Sequence, residues 1–262
     1  MRSRTAMQAL LDEAYERYAQ PGFIADDPIQ LPRAFSRRAD AEVIGFLTAT
    51  IAWGQRKTII ANAWKLVQLM DEAPHDFVMN ASPAELRRVE GFVHRTFNSI
   101  DLTHFVKGLR HVYTTYGGLE DAFLDEGRPG PMDQAIHRFK QRFFEPRHQA
   151  RTEKHVADPL KGSNAKRINM FLRWMVRPGD RGVDLGLWRR IAPGELMMPL
   201  DVHSGRVGRE LGLLVRKQDD WKAVEELTDA LRAFDARDPV KYDLALFGLG
   251  VAAGRPSGPR GR

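Results

Sequence analysis

Two residues in this chain have the chemistry to act on an electrophilic carbon, and both stand at the start of an amphipathic segment. Lys166 follows the turn Leu160-Lys161-Gly162-Ser163-Asn164-Ala165. Asp201 lies in Pro199-Leu200-Asp201-Val202-His203-Ser204-Gly205-Arg206-Val207. A lysine is a nucleophile only as the free amine, a form favoured by burial, a helix start or a neighbouring cation. A helix start and the cation Arg167 are what the sequence around Lys166 offers. A carboxylate at a helix start meets unpaired N–H groups, and can stabilise a cationic centre on a substrate or position a water. Each residue also has an ordinary reading. Lysines mostly face solvent, and an Asp ahead of a helix is usually only an N-cap. His203 is open to a role as base or ligand, and equally to simple packing.

The elements that must position this pair read as helices almost throughout. Met7, Leu10, Leu11, Ala14, Tyr15 and Tyr18 recur at three- and four-residue steps, which predicts a helix over Thr5–Tyr18, stopped by Pro21-Gly22. Ile29–Arg38 reads as an extended connection because Pro28 and Pro32 resist helix. Asp40–Trp53 is apolar nearly all round, the mark of a helix at the centre of its domain, with Gly54 as its C-cap. The helix after Arg56 makes an αα-hairpin with it. Ser82-Pro83-Ala84-Glu85 is a capping-box start. Further helices are expected from Asp101 to Tyr116 and from Met132 to Phe144. Beyond these, the expected helices run from Lys166 to Met175 with Ser163 or Asn164 as cap, over Asp184–Ile191, from Asp219 to Phe234 and over Val240–Val251. No alternating run of useful length predicts a strand. The fold expectation is all-α, a single two-lobed domain over residues 1–251 divided near 128–131, with 252–262 as a disordered basic tail. The segment Thr5–Asp27 is expected to pack with the C-terminal helices.

Composition narrows the function. The 262 residues contain no cysteine, which excludes disulfides, thiolate nucleophiles, Cys-ligated zinc and iron–sulfur clusters. No cofactor and no metal is expected. No window reaches the roughly 18–20 apolar residues of a membrane span, and no signal peptide is evident, so the expectation is a cytoplasmic protein without a membrane partner. A formal charge of +6 and a pI near 9.7 favour a phosphate-bearing partner.

The order of turn, lysine, helix, then Leu-Asp-Val-His-x-x-Arg-Val resembles the helix-hairpin-helix (HhH-GPD) DNA glycosylases, including endonuclease III and the 8-oxoguanine glycosylases. In that superfamily a turn of type L-P-G-V-G-x-K supplies a catalytic lysine, and V-D-[TV]-H-x-x-R-V supplies an essential aspartate. Leu160, Gly162 and Lys166 match the first pattern in register; Asp201, Val202, His203, Arg206 and Val207 match the second. Lys161 and Asn164 replace the usual Pro and second Gly, and Arg177–Glu195 reads as an insertion relative to endonuclease III. Phe46–Ala49 through Ala52-Trp53-Gly54-Gln55-Arg56 is similar to the helix and corner that place a wedge side chain, and Tyr242–Gly250 to the family's terminal helix. Over its full length the chain resembles the DUF2400 group of bacterial proteins.

The resemblance implies a two-lobed fold with a central cleft and a base-excision glycosylase with AP-lyase activity. Its partner would be duplex DNA carrying a damaged base, an oxidised purine such as 8-oxoguanine, bound by a monomer. Lys166 and Asp201 would be catalytic. Gln55, Arg56, Gly162, Asn164 and Arg206 would contact DNA, with Lys217 and Arg147–Lys161 as further phosphate contacts. Trp53, Trp174 and His203 would line the base pocket, the two tryptophans having membership of the apolar core as their alternative. The competing expectation is a non-catalytic nucleic-acid binder on the same scaffold, with Lys166 on a phosphate and Asp201 only a cap. A third is a scaffolding protein that binds no nucleic acid, its charge spread evenly.

Overall fold

The computed structural model describes residues 3–254. Its helices are α1 (Arg4–Tyr18), α2 (Gln30–Arg33), α3 (Arg38–Thr50), α4 (Arg56–Leu69), α5 (Pro74–Asn80), α6 (Pro83–Leu86), α7 (Ser99–Tyr116), α8 (Leu119–Phe123), α9 (Met132–Phe143), α10 (Lys166–Val176), α11 (Val202–Glu210), α12 (Trp221–Arg232) and α13 (Tyr242–Gly254). The described strands are a two-residue hairpin, β1 (Val93–His94) with β2 (Phe97–Asn98), too short to leave an alternating pattern. The all-α expectation holds. No described helix is long and apolar enough to cross a membrane.

Helix α3 is the centre that its all-round apolar sequence implies, for every residue from Asp40 to Thr50 is buried. Phe46 projects from it into a knot of rings, 5.6 Å from Phe105 of α7, 5.4 and 5.3 Å from Phe139 and Phe143 of α9, and 5.6 Å from Phe171 of α10. Four helices are thereby pinned around one side chain, with aromatic pairs worth about 0.5–1.5 kcal/mol beyond area burial. The buried acids of α3 are satisfied as burial requires, whereas the Thr48 hydroxyl has no partner among the described residues. Glu42 accepts from Arg38 Nε at 2.7 Å, the Tyr113 hydroxyl at 2.8 Å and Trp188 Nε1 at 2.8 Å.

The first segment packs on the last helix, as the sequence suggests. Tyr242 Oη donates to Asp12 at 2.8 Å, and the Tyr18 ring lies on Gly248. A Cβ at Gly248 would stand 2.2 Å from Tyr18 Cδ2. Gly248→Ala is therefore expected to destabilise the protein by about 1–3 kcal/mol through overpacking, although alanine favours helix by nearly 1 kcal/mol. Urea unfolding measures the balance, and a stabilised variant would show that α1 moves aside freely.

Several local expectations change. Residues 29–38 are not extended throughout: α2 forms because Pro32 falls in a first turn, where its missing N–H has no helical partner to lose. Asp184–Ile191 is not a helix. Leu185 N–H donates to Trp174 O at 2.8 Å and Trp188 N–H to Met175 O at 2.9 Å, so this segment caps the open carbonyls at the end of α10 instead. Helix α3 stops at Thr50, ahead of Gly54. The capping box at Ser82 and Glu85 is present but opens a single turn. Residues 252–254 extend α13 beyond the expected stop at Val251; the rest of the expected tail lies outside the described residues.

Two buried imidazoles set an acid limit. His104 stacks on Phe144 at 5.0 Å with neither ring nitrogen hydrogen-bonded among the described residues, and His155 sits beside Phe97 and Asp101. Burial pushes each down to about 4, with the charge of His148 adding at His104 and Asp101 opposing at His155. A histidine depressed by folding contributes stability that is complete above its unfolded value near 6.5 and is lost as pH falls toward 4. Each contributes up to about 3 kcal/mol. Stability is expected to drop between pH 6.5 and 4, and His104→Phe to flatten that slope in urea titrations across the range.

Candidate active site

The lysine turn is built from local bonds. Asp158 accepts from Leu160 N–H at 3.1 Å, and one 3-10 turn, Pro159–Lys161, ends at Gly162 with φ +83°. Gly162 needs that left-handed conformation, which a side chain would resist. Trp221 N–H then donates to Gly162 O at 3.2 Å and Ser163 pairs with Asp220, which ties the turn to the start of α12. The cap of α10 is Ala165, left-handed at φ +46°, and not Ser163 or Asn164 as the sequence suggests. Asn164 instead braces two segments: its Oδ1 accepts from Lys166 N–H at 3.3 Å, and its Nδ2 donates to Leu200 O at 3.2 Å, one residue before Asp201.

Asp201 is the N-cap of α11, so the ordinary reading is true of it. Its Oδ1 accepts from His203 N–H at 2.9 Å, Ser204 N–H at 2.8 Å and the Ser204 hydroxyl at 3.1 Å, and Ser204 Oγ accepts from Asp201 N–H at 2.9 Å. All of these cap bonds fall on one oxygen. Among the described residues Oδ2 has no hydrogen-bond partner, and the half-buried side chain borders a cavity.

That cavity, about 560 Å³, is lined by both Lys166 and Asp201. Helix α10 turns one face to it: Lys166, Arg167, Met170, Arg173 and Trp174 follow the i, i+4, i+7 rule of a helical stripe. Opposite stand Trp53, Arg56 and Ile59 from the corner after α3, and Asp243, Leu244 and Phe247 from α13. Of the residues expected at a site, Lys166, Asp201, Arg56, Asn164, Trp53, Trp174 and His203 converge here. Arg56 is exposed at the rim, 5.5 Å over the Phe247 ring, with His203 edge-on to the same ring at 5.6 Å. Gln55 and Gly162 are exposed and outside the lining. Arg206 is turned away: it pairs with Glu210 at 3.1 Å and donates to Gly250 O at 3.0 Å, fastening α11 to α13.

The sequence gives little sign of the charged network that begins in this wall. Asp243 is buried and held by Arg173. Burial pushes its carboxyl up to about 6 against the pull of Arg173, with the charge of Asp201 adding to the rise and Lys166 opposing it. Arg173 Nε also donates to Asp184 at 3.1 Å, and Arg177 bridges Asp184 and Asp238. The visible signal was weak: one acid in the first turn of the otherwise apolar run Leu244–Val251.

Arg167 and the tryptophans differ from this satisfied network. The half-buried Arg167 lies 4.7 Å over the Trp53 ring and donates to Thr50 O. No carboxylate within 4.0 Å pairs with it among the described residues, and burial alone pushes it down to about 10. One face of Trp53 is thus covered by a cation, while His94 meets the ring edge-on at 5.0 Å. Trp174 is fully buried, as its core alternative requires; its ring borders the cavity, and its Nε1–H, sealed from solvent, has no acceptor among the described residues. Among the described residues no cluster of three or more His, Asp or Glu has a geometry suited to a metal ion.

A family model described as a protein of unknown function (DUF2400) matches residues 27–252. No curated protein and no solved structure matches the chain.

Proposed function

The chain belongs to the DUF2400 family, and from the cavity it builds we propose that this protein is a DNA base-excision glycosylase with AP-lyase activity, acting on an oxidised purine such as 8-oxoguanine. The observation that carries the reading is that Lys166 and Asp201, distant in sequence, border one cavity of about 560 Å³, within the range of roughly 300–1,000 Å³ typical of small-molecule sites. The likeness of both segments to the helix-hairpin-helix glycosylases supplies the reaction.

A base inside a duplex must leave the stack first, at a cost of a few kcal/mol. Arg56 or Gln55 fills the gap it leaves. The free amine of Lys166 attacks C1′ as the glycosidic bond breaks, its electron pair leaving with the base, which is protonated. Asp201 stabilises the oxocarbenium-like transition state through Oδ2, while Oδ1 stays in the helix cap. The sugar ring opens at C1′–O4′ with a proton to O4′, giving the Schiff base. Loss of a C2′ proton then expels the 3′ phosphate by elimination. Asp243, its carboxyl raised by burial against the pull of Arg173, borders the same cavity. Both reacting groups come from one chain, so a monomer suffices.

The test is borohydride trapping on duplexes containing 8-oxoguanine, uracil or an abasic site. A covalent protein–DNA adduct with the oxidised or abasic duplex is the expected result; no adduct with any of the three overturns the lyase. The complete N-cap at Asp201 favours a second reading, a non-catalytic binder. It predicts salt-dependent duplex binding and no product.

A further inference from the structure

We infer that Arg167 reads a carbonyl oxygen on the base held in this cavity, so that bases able to turn a ring carbonyl to its guanidinium are selected over those that offer only an amino group as substituent. The inference rests on the nucleic-acid reading of the site and adds its selecting residue.

A guanidinium carries five N–H donors and no acceptor. Arg173 and Arg177, buried nearby, each meet two carboxylates. Arg167 meets one backbone carbonyl, that of Thr50. The ring of Trp53 holds the cation in place without supplying an acceptor for its remaining hydrogens. A cation kept half-buried without a counter-charge leaves its field and its donors for whatever enters. Trp174, two helical turns along α10, borders the same cavity with its ring, but its N–H is sealed beneath the surface, so Arg167 is the donor that an entering group meets. A guanidinium only donates, so the complementary group is an acceptor. A carbonyl oxygen meets that demand. An exocyclic amino group in the same place would set donor against donor. Because Lys166 and Arg167 are adjacent on α10, a base read by Arg167 is held beside the amine that would attack its sugar.

Phosphate oxygens are acceptors too, so the experiment separates the two sources. Quenching of tryptophan fluorescence is titrated on the full chain with 8-oxo-2′-deoxyguanosine, 2′-deoxyguanosine, 2′-deoxyadenosine and inorganic phosphate. The carbonyl-bearing nucleosides are expected to bind at least about tenfold more tightly than 2′-deoxyadenosine. Arg167→Met is expected to erase that preference, and Arg167→Lys, which keeps the charge and three donors, to restore part of it. Circular dichroism checks that both variants are folded. No nucleoside binding, equal binding of all three nucleosides, a preference that survives Arg167→Met, or Arg167-dependent binding of phosphate alone would each overturn the inference. The lyase stands or falls separately. Selective nucleoside binding without borohydride trapping keeps the reader and removes the reaction, whereas trapping with no change of selectivity in Arg167→Met does the reverse.

Discussion

Lys166→Ala is expected to abolish the borohydride-trapped adduct and strand incision, with the chemical step slowed by at least about a thousandfold. The loss is chemical, because alanine is the best helix former and Lys166 makes no ion pair among the described residues. Duplex binding is expected to persist, since one half-buried cation is a small part of the positive field. Asp201→Asn sharpens the experiment. Asparagine caps a helix as well as aspartate does, so α11 and overall stability are retained, while the anion at Oδ2 is lost. A fall of about 10²–10³ in rate with unchanged melting separates electrostatic stabilisation from capping. Trapping that survives Lys166→Ala, or full activity in Asp201→Asn, would leave the pair as a structural coincidence on a nucleic-acid binder.

The largest stability effect is expected at Arg173. Arg173→Met strands the buried carboxylate of Asp243 and leaves Asp184 with Arg177 alone. Removing one partner of a buried network costs about 3–5 kcal/mol, a large fraction of the 5–15 kcal/mol typical of a folded domain. Adding Asp243→Asn to Arg173→Met is expected to recover part of the loss, because the stranded charge is then gone. Urea unfolding of the two variants provides the comparison. Additive losses in the double variant would show that Arg173 and Asp243 are not coupled.

The pattern of these effects follows what a sequence can and cannot carry. Helices α1, α3, α7 and α9 are legible because one apolar stripe, or an apolar run on all sides, fixes each of them locally. Lys166 and Asp201 are legible for the same reason: each stands in a short turn-to-helix segment whose residue order is distinctive. Arg167 is not. Beside Lys166 it reads as one more surface cation, and only Trp53 and Thr50, from the far end of α3, reveal that it is held without a counter-charge. Asp243 is hidden likewise, since its partner Arg173 lies on another helix. Asp184–Ile191 reads as a helix and is not one, because its backbone hydrogen bonds are long-range, spent on the end of α10. Cap identity at α10 was misread because the left-handed step falls on Ala165, a residue type that gives no warning of it.

Asn164 fixes the spacing of the pair. A single amide side chain spans from the backbone of Lys166 to the carbonyl of Leu200, so the gap between Lys166 and Asp201 is gauged by that strut. The chain between them is anchored at its middle, through Asp184, Leu185 and Trp188, and losing one amide would let its two ends drift out of alignment even with those anchors in place.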